Sequence, residues 1–376
     1  MRRVDGWKVG RWERSGVPAL GVALLLSVVP TFQLSAQDPP RLSEAQTVLA
    51  PLVESYGVSG AEGPVRETVQ RLLPRWAKTE TDTAGNLWVR VGRGEPIVVF
   101  VAHLDEIGFR VTAIRDDGTL ELGPRGGFFP SLFEAHPALV HTDRGDVPGV
   151  FVPRDSGVTR RTPPPLRVDI GTASRAATVA RGVSPGATIT MPKQFVRLAG
   201  ARATGRSFDD RVGSAAQVLA LRHLNRAALK HQVIFIWSVR EEIGLEGAKA
   251  AAAALGTTVR RVHAIDTFVS ADSPIELPNF AVAPLGKGAV VRALDNSSVT
   301  PPAYVDSLVA LASARGVQLQ VGTTNGGNDG SAFTPYGAVD VAIGWPLRYS
   351  HSPAEVVDLT DVVSLADVIR AAAEAW

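Results

Sequence analysis

Histidine and carboxylate side chains lie beside apolar runs in five separate segments of the chain. The segments carry these residues: His103 and Asp105, Asp209 and Asp210, Glu241 and Glu242, Asp266, and His351. Three of the apolar runs are strand-like, and sites in open α/β sheets form at strand ends. The chain has no cysteine, so a metal would be bound by imidazole and carboxylate groups, which suit Zn, Co or Mn. The set therefore predicts a site for two divalent metals, and a two-metal hydrolase is the leading interpretation.

Each segment taken alone also has a plainer explanation. Adjacent acidic residues such as Asp209 and Asp210 favour the start of a helix, where they interact with the helix dipole and with unpaired N–H groups. A lone histidine such as His351 is more often a structural residue than a ligand. The prediction of a metal site depends on the coincidence of the whole set.

Two pairs in the set have a spacing that suits distinct roles. Glu241 and Glu242 follow an apolar run, and because neighbouring residues point in different directions, one can bind a metal while the other faces an attacking water. A general base beside a metal-activated water is the usual requirement for hydrolysis. His103 and Asp105 lie two residues apart at a strand end, so they can face the same side. Asp105 can then fix the tautomer of His103.

The elements that would position these residues belong to an α/β protein. Alternating strands and helices predict a doubly wound mixed sheet flanked by helices, formed by residues 37–115 and 204–376. Residues 116–203 are instead rich in Gly, Pro and short alternating strands. We expect this stretch to form a small β-rich domain inserted into the catalytic α/β domain.

The first 36 residues have the pattern of a secretory signal peptide. An apolar stretch from Val17 to Pro30 is followed by Leu-Ser-Ala36, and it is preceded by basic residues at positions 2, 3, 8, 11 and 14. The stretch is short for a membrane span, which needs about 20 residues. We therefore expect a secreted or periplasmic protein with no stable membrane span after processing, and an uncleaved anchor is the alternative.

Charge argues against nucleic acid as a partner. The chain has 39 basic and 37 acidic residues. Removal of residues 1–36 takes away five basic and two acidic residues. The remaining 34 basic and 35 acidic residues give a net charge of −1. No basic patch remains that would indicate binding to a phosphate backbone.

Five motifs together resemble the M42 family of metallo-aminopeptidases, within the M20/M28/M42 clan of two-metal exopeptidases. The resemblance runs from about Gly60 to the C-terminus. The motifs are Ala102-His103-Leu-Asp105-Glu106-Ile-Gly108-Phe, Phe208-Asp209-Asp210-Arg211-Val-Gly213, Arg240-Glu241-Glu242-Ile-Gly244-Leu-Glu-Gly247-Ala, Ile265-Asp266, and Arg348-Tyr349-Ser350-His351-Ser352-Pro353-Ala-Glu355. Each motif is weak alone, and the combination is specific.

The resemblance implies a role for each residue of the set. His103, Asp209 and Asp266 would bind one metal, and Asp209, Glu242 and His351 the other, so that Asp209 bridges them. Glu241 would be the general base, and Asp105 would orient His103. The resemblance also implies a cis peptide bond after Asp209, an inserted β-domain, peptide substrates, Zn or Co (or Mn) as the metals, and assembly into large homo-oligomers.

Two alternatives remain within the same residue set. A clan relative could be a metallo-deacylase or a carboxypeptidase, and a metal-binding module would hold the ions without catalysis. A glycosidase is less consistent with the sequence, because its two catalytic carboxylates face each other across about 5–9.5 Å. Two adjacent glutamates are poorly placed to face each other in this way. Three features also depart from the family pattern: the export signal, the sequence Asn328-Asp329-Gly330, and a Pro/Arg-rich loop at 154–166.

Overall fold

The computed structural model describes residues 39–154, 164–270, 272 and 282–375. The predicted signal peptide therefore lies outside the described residues, as does most of the loop at 154–166. The described residues form these α-helices: α1 (Pro40–Glu54), α2 (Gly63–Leu72), α3 (Arg175–Ala180), α4 (Phe208–His223), α5 (Glu246–Leu255), α6 (Pro302–Ala314) and α7 (Leu359–Ala375).

The same residues form eighteen strands in three sheets. They are β1 (Thr79–Thr81), β2 (Leu87–Val91), β3 (Ile97–His103), β4 (Gly108–Ile114), β5 (Leu120–Arg125), β6 (Pro137–Thr142), β7 (Gly145–Phe151), β8 (Arg167–Asp169), β9 (Thr188–Thr190), β10 (Val196–Arg197), β11 (Arg202–Gly205), β12 (Val233–Ser238), β13 (Val259–Val269), β14 (Ala289–Leu294), β15 (Leu319–Thr323), β16 (Val339–Asp340), β17 (Ile343–Leu347) and β18 (Glu355–Asp358).

The largest sheet is mixed, with parallel strands at its centre. Its order is β1-β2-β12-β3-β13-β17-β14-β15, and β16 pairs with β13. Strand β3 is parallel to β12 and β13, and β17 is parallel to β13. β2 and β14 flank this group as antiparallel partners. The central strands therefore end at one edge of the sheet, which is where α/β folds build their sites.

Side chains of the central strands alternate between two cores, because successive residues of a strand point to opposite faces. In β3, Val98, Phe100 and Ala102 pack into a core shared with α1, α4 and α7. Val99 and Val101 face the other way, into a core shared with the alanine-rich α5. Helices thus cover both faces of the sheet, and the predicted α/β fold with a mixed sheet flanked by helices is confirmed.

A small closed barrel interrupts the α/β unit. Its strands follow the order β4-β5-β8-β7-β6-β9, and its core includes Phe109, Phe133 and Phe151. The barrel strands run from Gly108 to Thr190, whereas the composition of the sequence predicts an insertion at 116–203.

The two bounds differ for separate reasons. Strand β4 belongs to the barrel because Phe109 and Val111, two residues apart, both point into the barrel core. Strands β10 and β11 lie in a separate sheet, because β11 pairs with β18 near the end of the chain. Local composition did not reveal this long-range pairing.

Within the described residues, no helix is both long enough and apolar enough to cross a membrane.

Candidate metal centre

The ends of the central strands carry most of the residues that the sequence singles out. His103 is the last residue of β3, and Asp266 lies near the end of the adjacent β13. Glu241 and Glu242 follow the end of β12, on the other side of β3. His351 lies in the turn between β17 and β18, where its φ of 58° is in the left-handed region. Left-handed backbone in non-glycine residues is concentrated at functional sites.

Helix α4 brings a carboxylate from a different part of the chain to the same edge. The peptide bond between Asp209 and Asp210 is cis, as the resemblance implies. The Asp210 carboxylate accepts hydrogen bonds from the backbone N–H groups of His103 (2.7 Å) and Gly213 (3.0 Å). A Cβ atom at Gly213 would lie 2.2 Å from this carboxylate. The glycine of the motif is therefore needed for Asp210 to connect α4 to the end of β3.

Asp209 lies between the two imidazoles. Its Oδ1 is 3.1 Å from Nε2 of His103, and its Oδ2 is 3.2 Å from Nε2 of His351. The histidines are 248 residues apart in the sequence, yet each faces one oxygen of the same carboxylate. This is the arrangement expected of a carboxylate shared by two ions.

The other ring nitrogen of each histidine faces a backbone carbonyl. Nδ1 of His351 is 2.6 Å from the carbonyl oxygen of Gly127, and Nδ1 of His103 is 3.1 Å from that of Asp105. A carbonyl oxygen only accepts hydrogen bonds, so each Nδ1 carries the proton and donates it. Nε2 is then the nitrogen of each neutral ring that can bind a metal.

Glu242 completes the cluster around Asp209. One ligand atom from each of His103, Asp209 and Glu242 lies within 4.8 Å of the others. Oε1 of Glu242 is 3.2 Å from Nε2 of His351, but this buried oxygen has no hydrogen-bond partner. Buried polar atoms rarely stay unsatisfied, and a metal ion held by this oxygen and by His351 would satisfy it.

Glu241 points toward His103. Its Oε2 is 4.0 Å from Nε2 of His103. Its side chain is mostly buried but lines a cavity that opens onto the cluster. The two adjacent glutamates therefore face different parts of the site, one beside each histidine.

Asp105 contacts more of the site than the sequence indicates. Its carboxylate is 3.5 Å from Nδ1 of His103, and it accepts hydrogen bonds from the backbone N–H groups of Glu241 (2.9 Å) and Glu242 (3.2 Å). The Ser59 hydroxyl donates to it at 2.6 Å. Asp105 therefore fixes the start of the Glu241–Glu242 segment as well as lying against His103.

Asp266 faces the same cavity but already has a cationic partner. Its Oδ2 is 3.3 Å from Nη1 of Arg292, and its Oδ1 accepts the N–H of Thr267 at 2.5 Å. Arg292 also reaches Asp295 at 3.0 Å. Arg292 was not among the site residues predicted from the sequence, although an arginine within the apolar strand β14 is an unusual feature that could have identified it.

Glu106 belongs to the first of the five motifs but had no predicted role. It is the centre of a buried ion cluster. Lys193, Arg206 and Arg211 lie 2.7, 3.3 and 3.3 Å from its carboxylate. Burial raises the pKa of Glu106, but the three cations outweigh this effect and hold its pKa well below the usual range. Lys193 and Arg206 come from the chain that returns from the barrel. Glu106 therefore joins the barrel's two connections beside the metal centre.

The electrostatics of the centre suit divalent cations. Burial and neighbouring carboxylates raise the pKa of Asp266 to about 6 and that of Glu241 well above its usual range. Burial opposes protonation of His103 and His351, yet the carboxylates beside them raise the pKa of each imidazole. The site thus has an excess of negative charge, and its oxygen and nitrogen donors are those that Zn, Co and Mn accept.

A cavity of about 550 Å³ opens onto the cluster. All five predicted metal ligands line it, and so does Glu241, whereas the buried Asp105 does not. The structure therefore brings together every residue that the sequence analysis assigned to the metals. Their individual roles remain predictions.

A mixed α/β sheet, an inserted barrel and a buried histidine–carboxylate cluster at the strand ends define a metal-dependent hydrolase. The chain belongs to the M42 family of aminopeptidases, because the family model described as M42 glutamyl aminopeptidase matches residues 85–368. This confirms the resemblance seen in the motifs. The chain is accordingly a peptide hydrolase of a metal-dependent family.

Individual relatives agree with the family but differ in their named substrates. The chain is 28% identical to the glutamyl aminopeptidase of Lactococcus lactis, over 85% of this chain and 93% of the relative. It is 29% identical to the lysyl aminopeptidase of Pyrococcus furiosus, over 86% of this chain and 95% of the relative. Among solved structures, the Pyrococcus horikoshii TET1 peptidase is 32% identical and superposes with a TM-score of 0.80, over 89% of this chain and 100% of that one.

Proposed function

We propose that this chain is an exported aminopeptidase that uses two divalent metal ions to hydrolyse the first peptide bond of its substrates. The observation that carries the proposal is Asp209, whose two carboxylate oxygens each face the Nε2 atom of a different histidine. Asp209 could therefore help each histidine to hold an ion. The adjacent Glu241 gives such a site the base that a simple binding site does not need.

The residues divide into ligands and one base. His103 and Asp266 would hold one ion with Asp209, and Glu242 and His351 would hold the other with Asp209. When bound, the ions, which we propose to be Zn or Co, or Mn, would lower the pKa of water and stabilise negative charge on the substrate carbonyl oxygen.

Glu241 moves the proton. Its carboxylate lies beside His103 and lines the cavity, where it can take a proton from the attacking water and return it to the leaving amine. Asp105 holds the backbone N–H of Glu241 at 2.9 Å, so the base is fixed in place before substrate binds.

A substrate comparison tests the proposal against the alternatives. Apo-protein prepared with a chelator should be inactive and should regain activity toward amino-acid p-nitroanilides when Zn, Co or Mn is added. N-acyl amino acids, which lack a free amino group, should not be cleaved. Cleavage of N-acyl amino acids alone would instead identify a metallo-deacylase or carboxypeptidase, and metal binding without hydrolysis of either substrate would identify a binding module.

Export is the second part of the proposal, and it is supported by the sequence of residues 1–36. We expect the mature protein to begin near Gln37 and to occur outside the cytoplasm. N-terminal sequencing of protein from cell fractions tests this. An intact Met1 on soluble cytoplasmic protein would contradict export, and an intact Met1 on membrane-bound protein would identify an uncleaved anchor.

Homo-oligomerisation is the third part. The TET1 peptidase of Pyrococcus horikoshii can assemble into a tetrahedron or a large octahedral shell, and this chain aligns with its whole length. We therefore expect a particle of many copies in solution. Light scattering coupled to size-exclusion chromatography would measure its mass, and a monomer would contradict this part of the proposal.

A further inference from the structure

The cavity beside the metal centre contains a single basic side chain among the described residues that line it, apart from the two histidines. That side chain is Arg292. An aminopeptidase selective for acidic residues needs a cation free to pair with the substrate, because a buried carboxylate without a partner is costly. Whether Arg292 is free therefore determines which N-terminal residues the site can accept.

Both terminal nitrogens of Arg292 already have partners within the protein. Nη1 donates to the carbonyl oxygen of Thr267 (2.9 Å) and lies 3.3 Å from Asp266, while Nη2 donates to the carbonyl oxygen of Gly327 (2.8 Å) and lies 3.0 Å from Asp295. Its third nitrogen, Nε, has no hydrogen-bond partner but is buried, and the whole residue is only 1% exposed. Two carboxylates thus neutralise this guanidinium, and no donor remains to reach a substrate.

The acidic residues around the cavity are similarly committed. Asp209, Glu241 and Glu242 belong to the metal cluster and its base, and Asp266 pairs with Arg292. Among the described residues of the lining, these four are the only carboxylates. A lysine or arginine side chain of a substrate would therefore also lack a free partner.

The rest of the described wall is uncharged. Asn296, Asn325, Thr267 and Ser350 contribute polar groups to it. The exposed ring of Phe129 contributes apolar surface. Asn325 is half-buried and lines the cavity, so its side-chain amide adds a neutral polar group to the wall.

We infer that this chain removes uncharged N-terminal residues, amide side chains included, and discriminates against both acidic and basic ones. The inference rests on the proposed aminopeptidase function and adds the substrate class. Overall similarity leaves this class open, because relatives named for glutamyl and for lysyl substrates are almost equally identical to the chain. The described residues that line the cavity favour neutral substrates over both glutamyl and lysyl ones.

Substrates matched in size test the inference on the metal-loaded, full-length mature protein. The p-nitroanilides of glutamine and glutamate have nearly the same shape and differ in charge. Those of norleucine and lysine have the same carbon chain and differ by the ammonium group of lysine. We expect kcat/KM to be about 10- to 100-fold higher for the neutral member of each pair, the range that burial of a polar or charged group without a partner gives. A preference for glutamate or lysine would overturn the inference while leaving the aminopeptidase function intact. Cleavage of none of the four would contradict the proposed function itself, and the inference with it.

A second arm changes the wall. The variant Asn325→Arg adds a free cation, and we expect it to raise the ratio of kcat/KM for glutamate over glutamine at least about tenfold. The size control Asn325→Gln should keep the wild-type ratio. Because the ratio compares two substrates on one preparation, it does not depend on the fraction of active enzyme. An unchanged ratio in Asn325→Arg that retains wild-type circular dichroism would show that this wall does not contact the N-terminal side chain.

Discussion

Replacement of Glu241 by glutamine is expected to lower turnover by about 10²- to 10⁴-fold while both metals and the fold are retained. Glutamine keeps the size and shape of glutamate but cannot accept a proton, and general-base contributions fall in this range. The side chain lines the cavity beside His103, where it would act on the attacking water. Steady-state kinetics combined with metal analysis of the same preparation measures both quantities.

The neighbouring Glu242→Gln variant is the matched control for that experiment. Glu242 differs from Glu241 in facing His351, at 3.2 Å, with an oxygen that lacks a hydrogen-bond partner. We expect this variant to lose metal affinity first and to recover part of its activity in excess metal. If Glu241→Gln loses a metal, or turns over at nearly the wild-type rate with both metals present, the roles within the pair are assigned wrongly.

Metal content should depend on Asp209 more than on any other single residue. Because each of its oxygens faces a different imidazole, Asp209→Asn is expected to lose both ions and, with them, measurable activity. His351→Ala should bind at most one ion, since one position loses its imidazole. Inductively coupled plasma mass spectrometry on dialysed protein gives the number of ions per chain.

Two residues of the barrel provide controls for those variants. Nδ1 of His141 and the carboxylate of Asp146 lie 2.8 Å apart outside the cavity, so His141→Ala and Asp146→Asn repeat the same chemical changes away from the centre. Both should retain the wild-type metal content. Two tightly bound ions in His351→Ala would exclude His351 as a ligand, and two in Asp209→Asn would exclude the bridge.

The sequence alone predicted the elements of the site well, because the chemistry is concentrated in short motifs. Apolar runs such as Ile97–His103 have the composition of buried central strands, and each motif lies at or near the end of such a run or at the start of a helix. Local patterns of apolar and polar residues indicate which segments are buried and whether they form strands or helices. They were sufficient to predict the mixed sheet, its flanking helices and the residues that meet at its edge.

Local sequence patterns did not predict the contacts between segments that are far apart in the chain. Asp105 was predicted to contact His103 alone. Its carboxylate also accepts hydrogen bonds from the backbone of Glu241 and Glu242, because β12 lies beside β3 in the sheet. The barrel begins at β4, earlier than composition indicated, because two apolar side chains of that strand enter its core. Strand order and pairing are decided by the packing of the whole chain.

The sequence by itself therefore identified the family to which the chain belongs, and it predicted which side chains would bind metals and which glutamate would be the base. Only the tertiary structure decided that Asp209 lies between His103 and His351, and that the charge of Arg292 is neutralised within the protein. The physical reason is that residue type sets what a group can do, whereas its partners depend on contacts between segments far apart in the chain. Whether a charge is free to meet a substrate is a property of those partners.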